Sequence, residues 1–217
     1  MDPLFLQSTE YIDSDTTIIQ EYAKDVAGTL QSDLDKAVAL YYRIRDDINY
    51  TPYLDFGDPE TYRASKVLHN GYGFCISKAA LLAACGRILG IPSRIGFADV
   101  KNHLNTPKLR KLNGGDLFRW HAFTELYLEG IWVKATPAFN LELCNKFRVK
   151  PLEFDGRQDS LFHPLDADQQ KHMEYVYERG SFADVPFAAI TATFKKYSPE
   201  LFDNNASGDF TTEAQLS

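Results

Sequence analysis

A cysteine and a histidine, which together can attack an amide carbonyl, stand at informative places in this sequence. Cys75 ends the glycine-rich stretch Gly71-Tyr-Gly-Phe-Cys75 and begins an apolar run, typical of a helix, that reaches Leu89. The unpaired N–H groups and the dipole of a helix N-terminus favour thiolate over thiol, so this position predicts a lowered cysteine pKa and a nucleophilic sulfur. The alternative is one more buried cysteine, since cysteines are among the most often buried residues.

A cysteine nucleophile also needs a base within hydrogen-bond reach and a third group that orients the base. His121, on a predicted strand, is the candidate base. If Glu129-Gly130 is a two-residue turn, Phe123 pairs with Thr136, which places Thr136 on the face of His121, one diagonal step away. Glu125 shares that face but lies about 13 Å along the strand, so it is the poorer partner. Taken alone, His121 or Thr136 would fit an ordinary position in a sheet.

The other cysteines and histidines give no metal-binding pattern. The chain has three cysteines and five histidines. An odd number of cysteines without CxxC spacing favours neither a disulfide framework nor a zinc knuckle. Cys85 lies ten residues beyond Cys75 on the same predicted helix and faces core neighbours, so we predict structural roles for Cys85 and Cys144. No HExxH or HxxxH pair occurs among the histidines. A metal-dependent hydrolase therefore has little support, and we expect no metal and no cofactor.

The elements that must position Cys75 and His121 are helices first and strands afterwards. Ser32, with Asp35 three residues on, is a fitting N-cap for the second helix. Helices followed by antiparallel strands make an α+β fold, with the nucleophile helix packed on the sheet. The predicted helices span residues 16–28, 32–48, 60–68 and 75–89, and the predicted strands span residues 93–100, 120–128 and 131–136.

The length of 217 residues allows one substantial core and does not require two domains. We therefore predict a single domain over residues 1–202. Its later part, with a turn-rich stretch at 151–168 and a further helix within 182–197, is expected to wrap the outside. Residues 203–217 are small and polar, and we expect them to form a flexible C-terminal tail.

Composition and charge restrict the class of partner. The hydrophobic share of 44% and the aromatic share of 13% are typical of a globular protein, and the formal charge of −7 argues against a general nucleic-acid binder. The start of the chain has no basic stretch followed by an apolar run, and no later segment reaches a membrane-spanning length. We expect a cytoplasmic protein that binds neither nucleic acid nor membrane.

A cluster of basic residues precedes the strand that carries His121. The predicted loop from Lys101 to Gly115 contains Lys108, Arg110 and Lys111 as well as Lys101 itself. Such a loop could act as a lid that favours an acidic substrate. A solvated loop without that role is the alternative.

Four separated motifs occur in order along the chain. They are Gly73-Phe-Cys75 at a helix start, Arg87-Ile-Leu-Gly-Ile-Pro-Ser-Arg94 at its end, Trp120-His121-Ala122 opening a strand, and Trp132-Val-Lys-Ala-Thr-Pro137 on the next strand. Together they resemble a known family, the transglutaminase-like superfamily. Their order and spacing make the resemblance specific, and it covers about residues 64–140.

The resemblance implies a papain-like α+β core in which a Cys-His-Asp triad attacks peptide or carboxamide carbonyls and forms a thioester. Cys75 matches the nucleophile and His121 the base. Where the family usually has aspartate before proline, this chain has Thr136 before Pro137. A threonine hydroxyl can accept the ring N–H and orient the imidazole, but it brings no charge. Asn140 is the second candidate for the orienting role.

The sequence therefore predicts cysteine-dependent acyl transfer or hydrolysis at a peptide or carboxamide bond of a protein or peptide substrate. Hydrolysis is favoured, because water needs no dedicated acceptor site. The oxyanion would be bound by the Cys75 backbone N–H and a second donor from the preceding loop, with Tyr72, Asn70 and His69 as candidates. The alternative, which Thr136 favours, is a catalytically inactive relative that binds a protein or peptide partner in the cleft.

Overall fold

One apolar helix lies between other helices on one side and a sheet on the other. This helix, α4, runs from Cys75 to Ile88, and every side chain from Ile76 to Arg87 is buried. A helix that is apolar on all sides is stable only when it is covered on all sides, which explains its central place. The computed structural model describes residues 2–103, 106–162, 173–202, 208 and 210–213.

The helices that precede α4 pack against it. Ser32 caps the second of them, because its hydroxyl accepts a hydrogen bond from the Asp35 N–H at 3.0 Å. Lys78 joins α4 to the end of the same helix, where its buried ammonium donates to the carbonyls of Arg45 and Ile48. These helices are α1 (Thr17–Ala27), α2 (Asp33–Asp47) and α3 (Ala64–Asn70), with 3-10 turns at Pro3–Leu6 and Pro59–Tyr62.

Two short strands bring the end of α2 next to the start of α4. They are β1 (Asn49–Tyr50) and β2 (Tyr72–Gly73), and they pair in parallel with Tyr50 opposite Gly73. Because Gly73 lies two residues before Cys75, this pairing sets Tyr50 beside the first turn of α4.

A four-stranded antiparallel sheet covers the other side of α4, in the order β5-β4-β3-β6. The contact includes a hydrogen bond of 2.8 Å from the Thr124 hydroxyl to the Ala79 carbonyl. The predicted α+β fold, a nucleophile helix packed on an antiparallel sheet, is confirmed. The strands are β3 (Ser93–Asn102), β4 (Leu117–Leu128), β5 (Ile131–Ala135) and β6 (Met173–Phe182).

The hairpin of β4 and β5 has the predicted register. Glu129 and Gly130 have φ angles of 48° and 93°, as a tight two-residue turn requires. Tyr127 pairs with Trp132, and the ladder continues to Thr124 opposite Ala135. Thr136 lies one residue beyond the last pair of this ladder. The predicted pair of Thr136 with Phe123 is therefore absent from the hairpin.

The stretch predicted as the loop 101–115 contains a helix, which corrects that prediction. The helix α5 (Pro107–Asn113) has Thr106 as its N-cap, whose hydroxyl accepts from the Leu109 N–H at 3.2 Å. Gly114, at a φ of 72°, ends it. The signals were a capping threonine, a proline at the first helical position and a closing glycine, and the cluster of basic residues obscured them.

Three α-helices among the described residues follow the hairpin: α6 (Leu141–Phe147), α7 (Phe187–Tyr197) and α8 (Phe210–Glu213). The predicted helix within 182–197 corresponds to α7, whereas β6 and α6 were not predicted, and α8 lies in the stretch predicted to be a flexible tail. A large part of the expected tail, residues 203–207, 209 and 214–217, lies outside the described residues. Among the described helices, none has the length and apolar character to span a bilayer.

Candidate active site

Cys75 is the first residue of α4, and its sulfur lies among backbone N–H groups. The N–H groups of Ala122, Ile76 and Cys75 itself lie near the sulfur and oppose the rise of its pKa. Phe74 precedes the helix, and its N–H donates to the Ser77 hydroxyl at 3.1 Å. The predicted helix start is therefore present, and it holds the thiol against β4.

His121 lies on β4 next to Ala122, and its ring lines the same cavity as Cys75. The ring contacts Phe162 and Tyr175, with centroid separations of 5.1 and 6.3 Å. Its Nε2 atom is buried and has no hydrogen-bond partner among the residues that the structure describes. The fold thus brings the predicted nucleophile and the predicted base to one cavity.

A β-bulge immediately before His121 sets the direction of its side chain. Between the pairs Ala98–His121 and Val100–Phe118, the single residue Asp99 stands opposite two residues of β4. One of these, Trp120, has a φ of 61°, which is unusual for a residue other than glycine. Bulges commonly lie next to active sites, where they re-aim a side chain.

Asp99 and Arg179 stabilise the bulge. The Trp120 N–H donates to the Asp99 carboxylate at 3.1 Å, and Arg179 Nη2 donates to the other carboxylate oxygen at 2.8 Å. The guanidinium also lies over the Trp120 ring, 4.5 Å from its centroid. The unusual backbone of Trp120 is thus supported by a charged pair and by a cation–π contact.

Burial dominates the ionisation of both predicted catalytic groups. Burial raises the pKa of the Cys75 thiol to about 11, although the surrounding N–H groups oppose the shift. Burial lowers the pKa of His121 to about 3. The lowered cysteine pKa expected from the helix N-terminus is not found, because the loss of hydration outweighs the helix dipole. At neutral pH the pair is a thiol and a neutral imidazole.

Thr136 is buried directly after β5, and it does not line the cavity. Its N–H donates to the Ser160 carbonyl at 3.1 Å. Its hydroxyl has no fully formed hydrogen bond among the described residues, but it lies beside the Tyr175 hydroxyl. Tyr175, which the sequence analysis did not single out, therefore stands between Thr136 and the ring of His121.

Asn140, the second candidate for the orienting role, is engaged elsewhere. Its Oδ1 atom accepts a hydrogen bond from the Tyr50 N–H at 3.2 Å. This bond joins the start of α6 to β1, and Asn140 does not line the cavity.

The predicted second oxyanion donors do not face the thiol. His69, Asn70 and Tyr72 line a separate depression on the surface. Tyr50 lines the cavity with Cys75 instead. Burial raises the pKa of Tyr50 well above its ordinary value, and the proximity of Cys75 adds to the shift. Tyr50 is distant from Cys75 in sequence. The pairing of β1 with β2 brings the two residues together, and no sequence motif indicates that pairing.

The cavity around Cys75 is small, and half of the side chains that line it are aromatic. The space open to the centre of a water molecule is about 70 Å³. The described residues contain no group of three histidine, cysteine or acidic side chains that could hold a metal ion. The aromatic residues of the lining are Tyr50, Phe56, Phe74, Phe118, Trp120, His121, Phe139, Phe162, Phe194 and Phe210.

The other two cysteines are buried away from this cavity. Cys85 packs in the main core, and burial raises its pKa strongly. Burial also raises the pKa of Cys144, to about 11, and its thiol contacts the Phe139 carbonyl at 3.9 Å. Both positions agree with the structural roles expected for these residues.

Comparisons with known proteins agree with this architecture. A family model described as the transglutaminase-like superfamily matches residues 20–137, which is more than half of the chain. No protein with a curated description matches the sequence.

Two solved structures are similar to this chain. A protein of Cytophaga hutchinsonii, provisionally described as a cysteine protease, shares 20% identity with a TM-score of 0.52, and the match covers 86% of this chain and 48% of that one. A provisionally described protease of Parabacteroides distasonis shares 16% identity with a TM-score of 0.40, over 62% of this chain and 25% of that one. This chain thus spans about half the length of the first. By the extent of the family match and by its fold, the chain belongs to the transglutaminase-like superfamily.

Proposed function

We propose that this protein is a thiol enzyme that cleaves or transfers an acyl group at a peptide or carboxamide bond through a thioester. Cys75 is the nucleophile and His121 the general base. The observation that carries the proposal is that the side chains of Cys75 on α4 and His121 on β4 line one cavity, with the sulfur near the N–H of Ala122, the residue that follows His121.

The first half of the reaction forms the thioester. The imidazole of His121 takes the thiol proton as the Cys75 sulfur attacks the carbonyl carbon, and the carbonyl oxygen becomes an oxyanion. When the C–N bond breaks, the imidazolium returns the proton to the leaving amine. In the second half, water gives its proton to His121 and attacks the thioester, which releases the acid and the thiol. Water is the favoured acceptor, since an amine would need a site of its own.

Tyr50 and the backbone N–H of Cys75 are the proposed oxyanion donors. Donors that are fixed before the reaction stabilise the developing charge without reorganisation. A phenol with a raised pKa stays protonated at neutral pH, so Tyr50 remains a hydrogen-bond donor. This role replaces the one expected of His69, Asn70 or Tyr72.

Thr136 is proposed to orient His121 through Tyr175 rather than alone. The Tyr175 hydroxyl lies beside the Thr136 hydroxyl, and the Tyr175 ring contacts the imidazole. These neutral groups can fix the ring, but they do not stabilise an imidazolium as an aspartate would. The proton therefore moves to His121 only as the sulfur attacks.

Selective alkylation tests the assigned pair. We expect iodoacetamide to modify Cys75 in preference to Cys85 and Cys144, and we expect His121→Ala to slow that modification. The matched control is His69→Ala, which removes an exposed histidine from a different depression. Equal, slow labelling of all three cysteines, unaffected by either substitution, would contradict the proposal. Peptide mapping by mass spectrometry gives the labelling rate at each cysteine.

A second candidate function is a binding module without catalysis. The observation that favours it is the neutral third group, Thr136, whose hydroxyl lies outside the cavity. Such a module would bind a protein or peptide in the cleft and leave it intact. Binding of a peptide by the wild-type chain with no product after prolonged incubation, together with unselective cysteine labelling, would favour this candidate.

A further inference from the structure

The described part of the last fifteen residues lies on the cavity that contains Cys75. Phe210, the first residue of α8, is buried and forms part of the cavity lining. Its ring packs against Tyr50, Tyr53 and Phe147, with centroid separations of 5.8, 6.2 and 5.1 Å. The chain therefore places one of its own aromatic side chains beside the proposed oxyanion donor, Tyr50.

A carboxylate one turn later anchors the same segment. Glu213 accepts hydrogen bonds from the Tyr53 hydroxyl and, at 3.4 Å, from the Thr106 hydroxyl. It also forms an ion pair of 3.1 Å with Lys108, whose ammonium lies over the Tyr53 ring. A lysine, a threonine and a tyrosine hydroxyl thus surround a single carboxylate.

The space that remains is too small for a substrate. The cavity volume of about 70 Å³ holds a few water molecules, whereas ligand sites measure roughly 300–1,000 Å³. A peptide that reaches Cys75 must therefore displace a side chain that now fills the cavity. Phe210 is the best placed, because its helix has only four residues.

We propose that α8 occupies the substrate site, and that the peptide substrate carries an aromatic side chain and, toward its C-terminus, a carboxylate. The inference rests on the proposed function and names its substrate class. Phe210 takes the place of the aromatic side chain and Glu213 that of the carboxylate. The basic cluster, for which a lid was one of two interpretations, contributes Lys108, which is consistent with a preference for acidic peptides.

Displacement of α8 also changes the environment of the catalytic pair. With Phe210 removed, water reaches Cys75 and His121, and hydration favours the charged forms of both groups. The occupied state thus combines a blocked cavity with a thiol that is protonated at neutral pH. A substrate that enters competes with α8 for the same contacts.

Two variants of the full chain and one peptide test this inference. We expect iodoacetamide to modify Cys75 in Phe210→Ala at least about tenfold faster than in the wild type, because burial of an aromatic ring contributes one to two powers of ten to an equilibrium. In Glu213→Gln we expect a smaller increase in the labelling rate. Ile131→Ala, which shortens an exposed side chain on the hairpin, is the control and should react like the wild type. Thermal unfolding confirms that all variants are folded.

Binding of the segment in trans is the second measurement. A fluorescent peptide with the sequence of residues 208–217 should bind to the Phe210→Ala, Glu213→Gln double variant and protect Cys75 from alkylation. The same peptide with alanine in place of the phenylalanine should do neither. A labelling rate of Cys75 that is unchanged in both variants, together with no peptide binding, would overturn the inference. The catalytic assignment would remain intact if labelling is still selective for Cys75. Loss of that selectivity in every variant would instead overturn the proposed function.

Discussion

The backbone N–H of Ala122 lies near the sulfur of Cys75, so the start of α4 meets the strand that carries His121. This proximity places the sulfur next to β4. It also makes the position of His121 depend on the backbone of β4, and therefore on the bulge before it. The chemistry proposed for this site rests on the rigidity of that backbone.

The bulge at Trp120 should therefore be sensitive to loss of Asp99. We expect Asp99→Ala to lower the free energy of unfolding by about 1–3 kcal/mol, because the buried N–H of Trp120 and the guanidinium of Arg179 lose their acceptor. Urea unfolding followed by fluorescence gives the free energy. The rate at which iodoacetamide labels Cys75 should also fall, because the bulge no longer sets the direction of the His121 side chain.

Asp116→Ala is the control for that experiment. It removes the exposed ion pair of 2.9 Å with Arg110, which should contribute less than about 1 kcal/mol. Equal stability losses in the two variants would contradict the role assigned to the bulge.

Burial of His121 should make the fold sensitive to mild acid. The unfolded chain protonates this histidine near pH 6.5, whereas the folded chain resists until about pH 3. Between these values the unfolded state binds more protons, so stability falls as the pH falls through the window and is fully present above it. The loss should be smaller in His121→Gln, and urea unfolding at pH 7, 5 and 4 measures it. His69→Gln is the control, and identical pH profiles for all three chains would disprove the assignment.

The hydroxyl groups of Thr136 and Tyr175 should act through His121. We expect Thr136→Val and Tyr175→Phe each to slow alkylation of Cys75 by about threefold to tenfold at neutral pH, as expected for loss of a weak orienting contact. In the His121→Ala background the same substitutions should have no further effect. Additive losses in that background would show that the two hydroxyl groups act on the fold and not on the imidazole.

Gly96 should not tolerate a side chain. A Cβ atom there would lie 2.2 Å from the ring of Phe123, which pairs with Gly96 across β3 and β4. We expect Gly96→Ala to lower the free energy of unfolding by about 1–3 kcal/mol, because the buried Phe123 ring must shift to admit the added methyl group. Gly57→Ala, whose Cβ would first meet the flexible carboxylate of Asp55, is the matched control. A similar stability for the two variants would contradict this prediction.

The sequence predicted those features that local patterns encode. Ser32 caps its helix, Glu129 and Gly130 form the turn, and Cys75 begins α4, because caps, turns and apolar periodicity act over a few residues. The sequence could not reveal Tyr50 or Tyr175 at the site, since each reaches it through pairing between distant strands. The helix that begins at Pro107 had local signals, and the charge cluster masked them.

The ionisation of Cys75 could not be inferred from its position at a helix start. The dipole is a local property, whereas desolvation depends on all the aromatic side chains that close the cavity. Phe210 illustrates the same limit. The residues around it are small and polar, which predicts a flexible tail. Phe210 nevertheless packs against aromatic side chains that are distant in the sequence.

Direct detection of the acyl-enzyme tests the central claim most sharply. The chain, as wild type and as Phe210→Ala, is mixed with the p-nitrophenyl ester of N-acetylphenylalanine, quenched in acid and analysed by peptide mass spectrometry. We predict one acyl group on Cys75, removable by hydroxylamine, that forms at least about tenfold more slowly in His121→Ala. Acyl groups spread over other side chains, or acylation of Cys75 at an unchanged rate without His121, would contradict the account.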